Sequence, residues 1–136
     1  MRTALLLTLL TAATAPAVAI AAPVTYQLDP THTDVLFTWN HNGFSFPTGR
    51  AAISSGTLIY DAAKPTASQV QVELPLAELV THVPKLDEIV KSDKLFDVAK
   101  FPQASFRSTS VAAQGTGRLK ISGELTLHGV TRPVVP

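Results

Sequence analysis

Residues 116–128 read TGRLKISGELTLH, a stretch in which apolar and polar side chains alternate. Every second residue from Gly117 to Leu127 lacks a polar side chain, and the residues between them are polar or charged. Successive side chains of a β-strand point to opposite faces, so one face of this stretch suits a core and the other suits water. The pattern predicts a half-buried strand from Thr116 to His128.

The same period of two returns elsewhere in the chain. It is clear in residues 33–41, where aromatic side chains share one face, and in residues 69–76, where Val and Leu alternate with Gln and Glu. Weaker strand patterns, separated by turn-forming Pro, Gly and Ser, cover residues 24–28, 50–53, 56–60 and 104–111. Short strands at this spacing predict an all-β, antiparallel sandwich or barrel.

One region departs from the strand pattern. Between residues 77 and 100 the apolar side chains fall three or four positions apart, which is the helical period. Pro84 suits the first turn of a helix, and Asp93 suits the cap of a second one. We predict a short helical insertion that covers one end of the β domain.

The two ends of the chain indicate how it is divided. Residues 1–22 combine Arg2, a short apolar run and the small-residue pattern Ala19-Ile20-Ala21, which together mark a cleaved signal peptide. We expect residues 23–136 to form a single β domain that is exported to the periplasm. The last five residues read RPVVP, where another strand begins, and we therefore expect this domain to be C-terminally incomplete.

The composition excludes several classes of protein. Positive and negative charges nearly balance, with 11 Lys and Arg against 10 Asp and Glu, so no nucleic-acid partner is expected. The chain has no Cys, which excludes disulfides and thiolate chemistry. Beyond the leader, no segment is apolar over the roughly 20 residues that a membrane-spanning helix needs, so stable membrane insertion is not expected.

The polar residues form no recognisable catalytic or metal-binding motif. His32 and His41 lie an odd number of positions apart, so a regular strand would turn them to opposite faces. No serine stands on a glycine-flanked elbow, and the carboxylates are scattered over loops and solvent faces. We expect no metal, no cofactor and no enzymatic activity. A hydrolase that uses His32 and Asp34 is the enzymatic alternative.

An aromatic cluster falls within and after the second strand: Phe37, Trp39, Phe44 and Phe46. Aromatic side chains of this kind either fill a core or line a ligand cavity. Gly117 and Gly123 leave room on the apolar face of the long strand. The residues alone leave both interpretations open.

A series of short motifs extends along most of the chain. In order they read YQLDPTHT at 26–33, LFDV at 95–98, FP at 101–102 and GELTLHGVTRPV at 123–134. In this order the motifs resemble those of the YceI family, which are exported bacterial proteins described as lipid or polyisoprenoid binding.

The resemblance implies a lipocalin-like antiparallel β-barrel with a short helical insertion, whose last strands this chain is expected to lack. Its apolar interior would hold a long-chain ligand lengthwise, either a polyisoprenoid, an isoprenoid quinone or a fatty-acid-like lipid, for periplasmic transport or storage. The resemblance brings no cofactor and leaves a homodimer open. The family often carries an Arg-Asp pair where Leu86-Asp87 stands in this chain.

The candidate ligand-binding residues are the apolar side chains that such a barrel would turn inward. The strands contribute Val35, Phe37, Trp39, Val70, Val72, Leu74, Leu119, Ile121 and Leu125. The end of the domain that the helical insertion covers contributes Phe44, Leu86, Val90 and Phe96. His41 is expected to meet the polar end of the ligand.

Two further architectures are weighed against the carrier. An exported β-sandwich with a filled core would serve as a structural or interaction module, and its aromatic residues would simply pack together. A small outer-membrane barrel is disfavoured, because two Tyr and one Trp make poor aromatic girdles.

Overall fold

The computed structural model describes residues 22–136, so the predicted signal peptide lies outside the described residues except for its last position. Eight strands and one α-helix are formed within this range. In chain order they are β1 (Val24–Gln27), β2 (Asp34–Thr38), β3 (Thr48–Ala52), β4 (Ser55–Tyr60), β5 (Gln69–Pro75), α1 (Pro84–Lys91), β6 (Gln103–Ala113), β7 (Leu119–Leu127) and β8 (Val130–Val134). Short 3₁₀ turns cover Pro65–Ala67 and Leu76–Glu78. The predicted all-β class with a short helical insertion is confirmed.

The strands form two antiparallel sheets. Six of them pair in the order β1-β4-β5-β6-β7-β8, and β2 pairs with β3 in a separate two-stranded sheet. Within residues 22–136 the larger sheet does not close into a barrel, since β1 and β8 are its two edges. The fold is therefore an open form of the antiparallel sheet that the sequence predicts.

The cross-strand register gathers apolar side chains on one face of the larger sheet, here called the inner face. Gly56 lies opposite Val72, Val72 lies opposite Phe106, and Phe106 lies opposite Leu125. The neighbouring row on the other face joins Gln71, Arg107 and Glu124 and is polar. The inner face includes Leu58, Val70, Val72, Leu74, Phe106, Ile121, Leu125 and Leu127. Alternation along each strand thus places the apolar set on a single surface.

The buried core occupies one end of this surface. Its members come from β3 and the residue just after it, from β5, from the turn after β5 and from the start of β6: Ala51, Ile53, Leu74, Leu76, Leu79 and Ala104. Mutual backbone hydrogen bonds between Arg50 and Val80, at 2.8 and 2.9 Å, tie β3 to this end. Away from the core the inner face is only partly covered, and Leu119 is 40% exposed.

The helical insertion is shorter than its sequence pattern predicts. α1 has eight residues and ends at Lys91, because the backbone of the next residue, Ser92, is extended. Residues 93–96 form turns, so the second helical turn predicted at Asp93 is wrong. The Ser92 hydroxyl donates to the carbonyl of Ile89 at 2.8 Å, a local bond that competes with continuation of the helix. Neither α1 nor any other helix in the described part of the chain has the length and apolar character needed to cross a bilayer.

The long strand also begins later than predicted. Gly115 and Gly117 have φ of +77° and +69°, so residues 115–118 form a turn and β7 begins at Leu119. Gly117 is therefore not on the strand face where the alternating pattern placed it.

Candidate functional site

An apolar pocket of about 280 Å³ lies between the β2–β3 hairpin and the helical insertion. β2 and the residue just beyond it contribute Phe37 and Trp39, and the insertion contributes Leu86, Val90, Leu95 and Phe96. Thr81 is the one polar residue in the lining. The pocket suits an apolar group and offers almost no polar partner to a charged one.

The hairpin places the two aromatic rings side by side. Phe37 and Trp39 are two residues apart and so share a face of the hairpin, with their ring centroids 5.9 Å apart. Gly49 lies directly opposite Phe37 in the β2–β3 ladder. The Phe37 ring lies over Gly49 so closely that a Cβ there would overlap it. The glycine therefore lets the ring lie against the backbone of β3 and form one wall of the pocket.

A polar contact anchors α1 beside this wall. Asp87 accepts hydrogen bonds from the backbone N–H of Thr81 at 2.6 Å and from the Thr81 hydroxyl at 2.5 Å. These two bonds hold the pKa of the Asp87 carboxyl below its usual value of 3.8, and the bond from the Thr81 hydroxyl has the larger effect. His82 follows with φ of +64°, a left-handed conformation that turns the chain sharply before Pro84. The start of the helix is thus fixed by its carboxylate and by this turn.

The chain after α1 folds back along the end of the helix. The N–H of Phe96 donates to the carbonyl of Val90 at 3.0 Å, and the N–H of Val98 donates to that of Lys91 at 3.1 Å. This return brings Leu95 and Phe96 to the pocket. Phe96 and Val98 also pack against the buried core, so the insertion is attached to the sheet at both its start and its end.

The predicted site residues fall into three groups in the structure. Five line the pocket: Phe37, Trp39, Leu86, Val90 and Phe96. Six more lie on the inner face of the larger sheet, namely Val70, Val72, Leu74, Leu119, Ile121 and Leu125. The structure therefore divides most of the predicted set between one pocket and the inner face, where Leu74 is part of the buried core.

The remaining three candidates belong to the hairpin but do not line the pocket. Val35 pairs with Ala51 and is 38% exposed. The backbone N–H of His41 bonds to Ser45 at 2.9 Å, and its side chain is exposed. Phe44 lies at the tip of the hairpin and is 90% exposed.

Two pocket residues were not among the candidates. Leu95 shares the apolar spacing of the insertion, so the sequence does contain a signal for it. Thr81 is 5% exposed and acts through its bond to Asp87. No sequence pattern marks Thr81, because its role depends on the turn at His82.

The residues of the hydrolase alternative have other partners. His32 Nδ1 lies 2.7 Å from Asp29 Oδ2, and Asp34 accepts from Arg50 Nε at 2.8 Å. The hydrogen bond with His32 has the largest effect on the pKa of the Asp29 carboxyl and lowers it below its usual value. The hydrogen bonds from Thr31 lower it further. Both pairs are adequately explained as surface contacts that fix a turn and a hairpin. Among residues 22–136 no group of three or more His, Asp or Glu side chains has the arrangement of a metal site.

Relatives of this chain are found among curated bacterial proteins. A UPF0312 protein of Pseudomonas savastanoi pv. phaseolicola is 42% identical over 117 residues, which are 86% of this chain and 61% of that protein. A UPF0312 protein of Shewanella baltica is 38% identical over 120 residues, covering 88% of this chain and 63% of its own length. The chain spans about three-fifths of the length of these relatives.

Solved structures share the fold. BcnA of Burkholderia cenocepacia superposes with a TM-score of 0.63 at 23% identity, over 74% of this chain and 62% of that one. The Campylobacter jejuni YCEI protein superposes with a TM-score of 0.56 at 26% identity, over 81% of this chain and 64% of its own. The fold is therefore lipocalin-like.

The family model of the YceI-like domain matches residues 26–136. This range begins at the tyrosine that opens the first motif, and it includes every strand from β2 to β8. The chain belongs to the YceI-like family.

Proposed function

We propose that the protein binds a long apolar ligand without catalysis, holding one end in the pocket beneath α1 and the rest along the inner face. The ligand class is a polyisoprenoid, an isoprenoid quinone or a fatty-acid-like lipid. The observation that carries the proposal is the pocket whose lining is apolar apart from Thr81. The inner face supports the same function, because it is apolar and only partly covered, and because Phe37, Val90 and Phe96 of the pocket pack against the core at one end of it.

The size of the pocket limits which part of the ligand it holds. Its volume is about 280 Å³, near the lower end of the roughly 300–1,000 Å³ of small-molecule sites. If each methylene takes about the 30 Å³ of a water molecule, the pocket holds about nine carbons. This is the length of two isoprene units, so a longer chain must continue outside.

The free energy of binding also indicates that the ligand extends beyond the pocket. Burial of about nine methylenes at about 0.8 kcal/mol each contributes about 7 kcal/mol. Association costs about 4–15 kcal/mol in lost translational and rotational freedom. The pocket alone therefore gives weak binding, and the inner face has to contribute if the affinity is to be useful.

The alternative of a β-sandwich with a filled core is less well supported. A core filled between two packed sheets would enclose large apolar side chains completely. Among residues 22–136 no large side chain is less than 2% exposed.

The location is part of the proposal. We propose that residues 1–22 are removed as a signal peptide and that residues 23–136 act in the periplasm. The mass of the exported protein tests this, since cleavage leaves a chain that begins near Ala22 or Pro23. A periplasmic protein of full-length mass would contradict it.

The direct test of binding uses two variants of neighbouring helix residues. Val90→Trp fills the pocket, whereas Ile89→Trp adds the same ring at a position of α1 that is 42% exposed. Lipid in an organic extract of each purified protein is identified by mass spectrometry, and uptake of a decyl-tailed benzoquinone is measured by equilibrium dialysis. We expect uptake by the wild type and by Ile89→Trp, and about a tenfold or greater loss in Val90→Trp.

Circular dichroism of both variants shows whether the fold is kept. If the folded wild type yields no extractable lipid and takes up neither the quinone nor an added polyprenol, the protein is not a carrier of this class. Equal uptake by the folded Val90→Trp variant would place binding outside the pocket.

A further inference from the structure

The tip of the β2–β3 hairpin exposes two phenylalanine side chains. Phe44 is 90% exposed and Phe46 is 69% exposed. Leu36 is 68% exposed and lies on the same face of the hairpin as Phe46, opposite to the face that carries Phe37 and Trp39. We propose that this tip, defined as residues 40–46, docks the protein onto the surface of a lipid bilayer beside the mouth of the pocket.

The tip is a hydrogen-bonded hairpin turn. Asn42 and Gly43 both have positive φ, at +55° and +79°, and the N–H of Phe44 donates to the carbonyl of His41 at 3.0 Å. These are the marks of a type I′ turn, which matches the twist of paired strands. The Asn40 side chain accepts from the N–H of Gly43 at 2.6 Å and braces the turn. Because the turn is already ordered, insertion of Phe44 costs little conformational entropy.

The charge of the hairpin suits a bilayer. Residues 35–49 contain no Asp, Glu, Lys or Arg, and His41 is their one ionisable side chain. The largest cost of placing protein in a membrane interface is the removal of charged groups from water. Insertion of the tip avoids this cost, because it carries no permanently charged group. Asn40 and Asn42 flank the aromatic residues with amides that can stay hydrated at the level of the head groups.

The exposed area favours a bilayer over a protein partner. A phenylalanine buries about 150–250 Å², so Phe44 and Phe46 together offer less than the roughly 800 Å² per side of a stable protein interface. Insertion into lipid needs no minimum interface, since each side chain partitions by itself. A docking tip of this size gives reversible attachment and no stable insertion.

The position of the tip connects docking with the pocket. Trp39 lines the pocket, and two residues later, about 7 Å along an extended strand, His41 forms the bridge to Ser45 that closes the tip. A bilayer in contact with Phe44 would therefore lie close to the pocket lining. This inference rests on the proposed function for its purpose, which is exchange of a ligand with a membrane, but docking itself depends on the tip alone.

The test measures binding to vesicles of phosphatidylethanolamine and phosphatidylglycerol. Trp39 is the single tryptophan of the chain, so brominated lipids that quench its fluorescence report the approach of the hairpin. We expect wild type to sediment with the vesicles and to be quenched. Phe44→Ser and Phe46→Ser should each weaken partitioning about tenfold, in line with loss of one buried phenyl ring. Val135→Ser, which changes another apolar residue that is 54% exposed, should leave partitioning unchanged.

Two further measurements separate docking to the bilayer from ligand binding in the pocket. Val90→Trp should still bind vesicles although its pocket is filled, and Phe46→Ser should still take up the quinone from detergent solution. Wild type that stays in the supernatant at all lipid concentrations overturns the docking proposal, as does a Phe44→Ser, Phe46→Ser double variant that sediments like wild type. Concentration-dependent dimers that the same double variant abolishes would assign the tip to a second copy of the chain and overturn it as well.

Discussion

Phe37 keeps its place in the pocket wall because Gly49 presents no side chain to it. At this position the limit is steric, since Gly49 is not among the glycines with positive φ. Any added Cβ must displace the ring, which also contacts the buried core and lies beside Trp39. The pocket and the core therefore depend on one small residue in β3.

Gly49→Val should destabilise the fold by about 1–3 kcal/mol, as overpacking usually does, and should weaken quinone uptake because Phe37 moves. Urea unfolding followed by tryptophan fluorescence measures the first effect, and equilibrium dialysis measures the second. Gly115→Asn is the control, because a side chain there meets open space and Asn tolerates a left-handed backbone. An unchanged urea midpoint in Gly49→Val would show that the ring does not need this contact.

Individual residues of the pocket could be predicted where the spacing of apolar side chains showed which face of a strand or helix they occupy. Phe37 and Trp39 follow strand alternation, and Leu86 and Val90 follow helical spacing, so the sequence indicated that each pair shares a face, and the structure brings all four to the pocket. Gly123 is a position where spacing within one strand is not sufficient. The room it leaves on the inner face is filled by the Phe106 ring from the neighbouring strand, and no pattern within β7 reveals what a neighbour will supply.

At the scale of elements, α1 is connected to the β domain through the bonds between Thr81 and Asp87. The helix has only eight residues, too few to be stable by itself in water. Its amphipathic packing over the pocket and this carboxylate anchor therefore determine whether it stays in place. Release of the anchor would loosen the cover of the pocket without disturbing the strand ladders.

The anchor should depend on pH. Because the folded-state pKa of Asp87 is lowered below its usual 3.8, the carboxylate contributes stability above that value and loses it as pH falls through the lowered pKa. Amide chemical shifts of Thr81 and residues 84–91, followed from pH 7 downward, should show one acid transition that Asp87→Asn removes. Asp93→Asn, at an exposed carboxylate in the turn after α1, should keep it. Persistence of the transition in Asp87→Asn would assign it to another group.

The existence of the elements was more predictable than their arrangement. Alternation identified β2, β5 and β7 because one face of each is apolar. It did not show that β2 and β3 form a separate sheet, since both sheets have the same period. The turns at 93–96 were predicted as helix because Leu95 and Val98 lie three positions apart, as Leu86 and Ile89 do. Contacts with the core, which sequence spacing does not encode, decide their conformation.

At the scale of the whole molecule, the buried core is small and lies at one end of the sheet. Its six apolar members include two alanines, and the remainder of the inner face is only partly covered. A ligand that covers this face adds apolar burial that the chain does not supply within residues 22–136. Stability and ligand binding should therefore be strongly linked.

A decyl-tailed benzoquinone at a hundred times its Kd should stabilise the protein by about 2.7 kcal/mol. For a domain of this size the melting temperature should rise by about 10 °C, which differential scanning calorimetry measures. Val90→Trp should show little or no rise, whereas Ile89→Trp should respond like wild type. An equal rise in all three proteins would mean that the quinone acts on the exposed inner face without entering the pocket.

The homodimer that the resemblance left open remains a proposal, and β8 is a poor surface for it. This edge strand carries Arg132 on the apolar inner face, opposite Leu125, and Pro133 beside it. An inward-pointing charge and a proline both discourage pairing with another strand. We therefore expect no strand pairing between two copies at β8.

The two edges of the larger sheet consequently differ. β8 lacks a backbone donor at Pro133, whereas β1 offers an uninterrupted four-residue strand, VTYQ, built from side chains that favour extended structure. Within residues 22–136, a strand added at β1 would thus find an unbroken row of backbone donors and acceptors, whereas a strand added at β8 would lose one hydrogen bond at Pro133. A lysine introduced into β1 should discourage the addition of a strand at this edge.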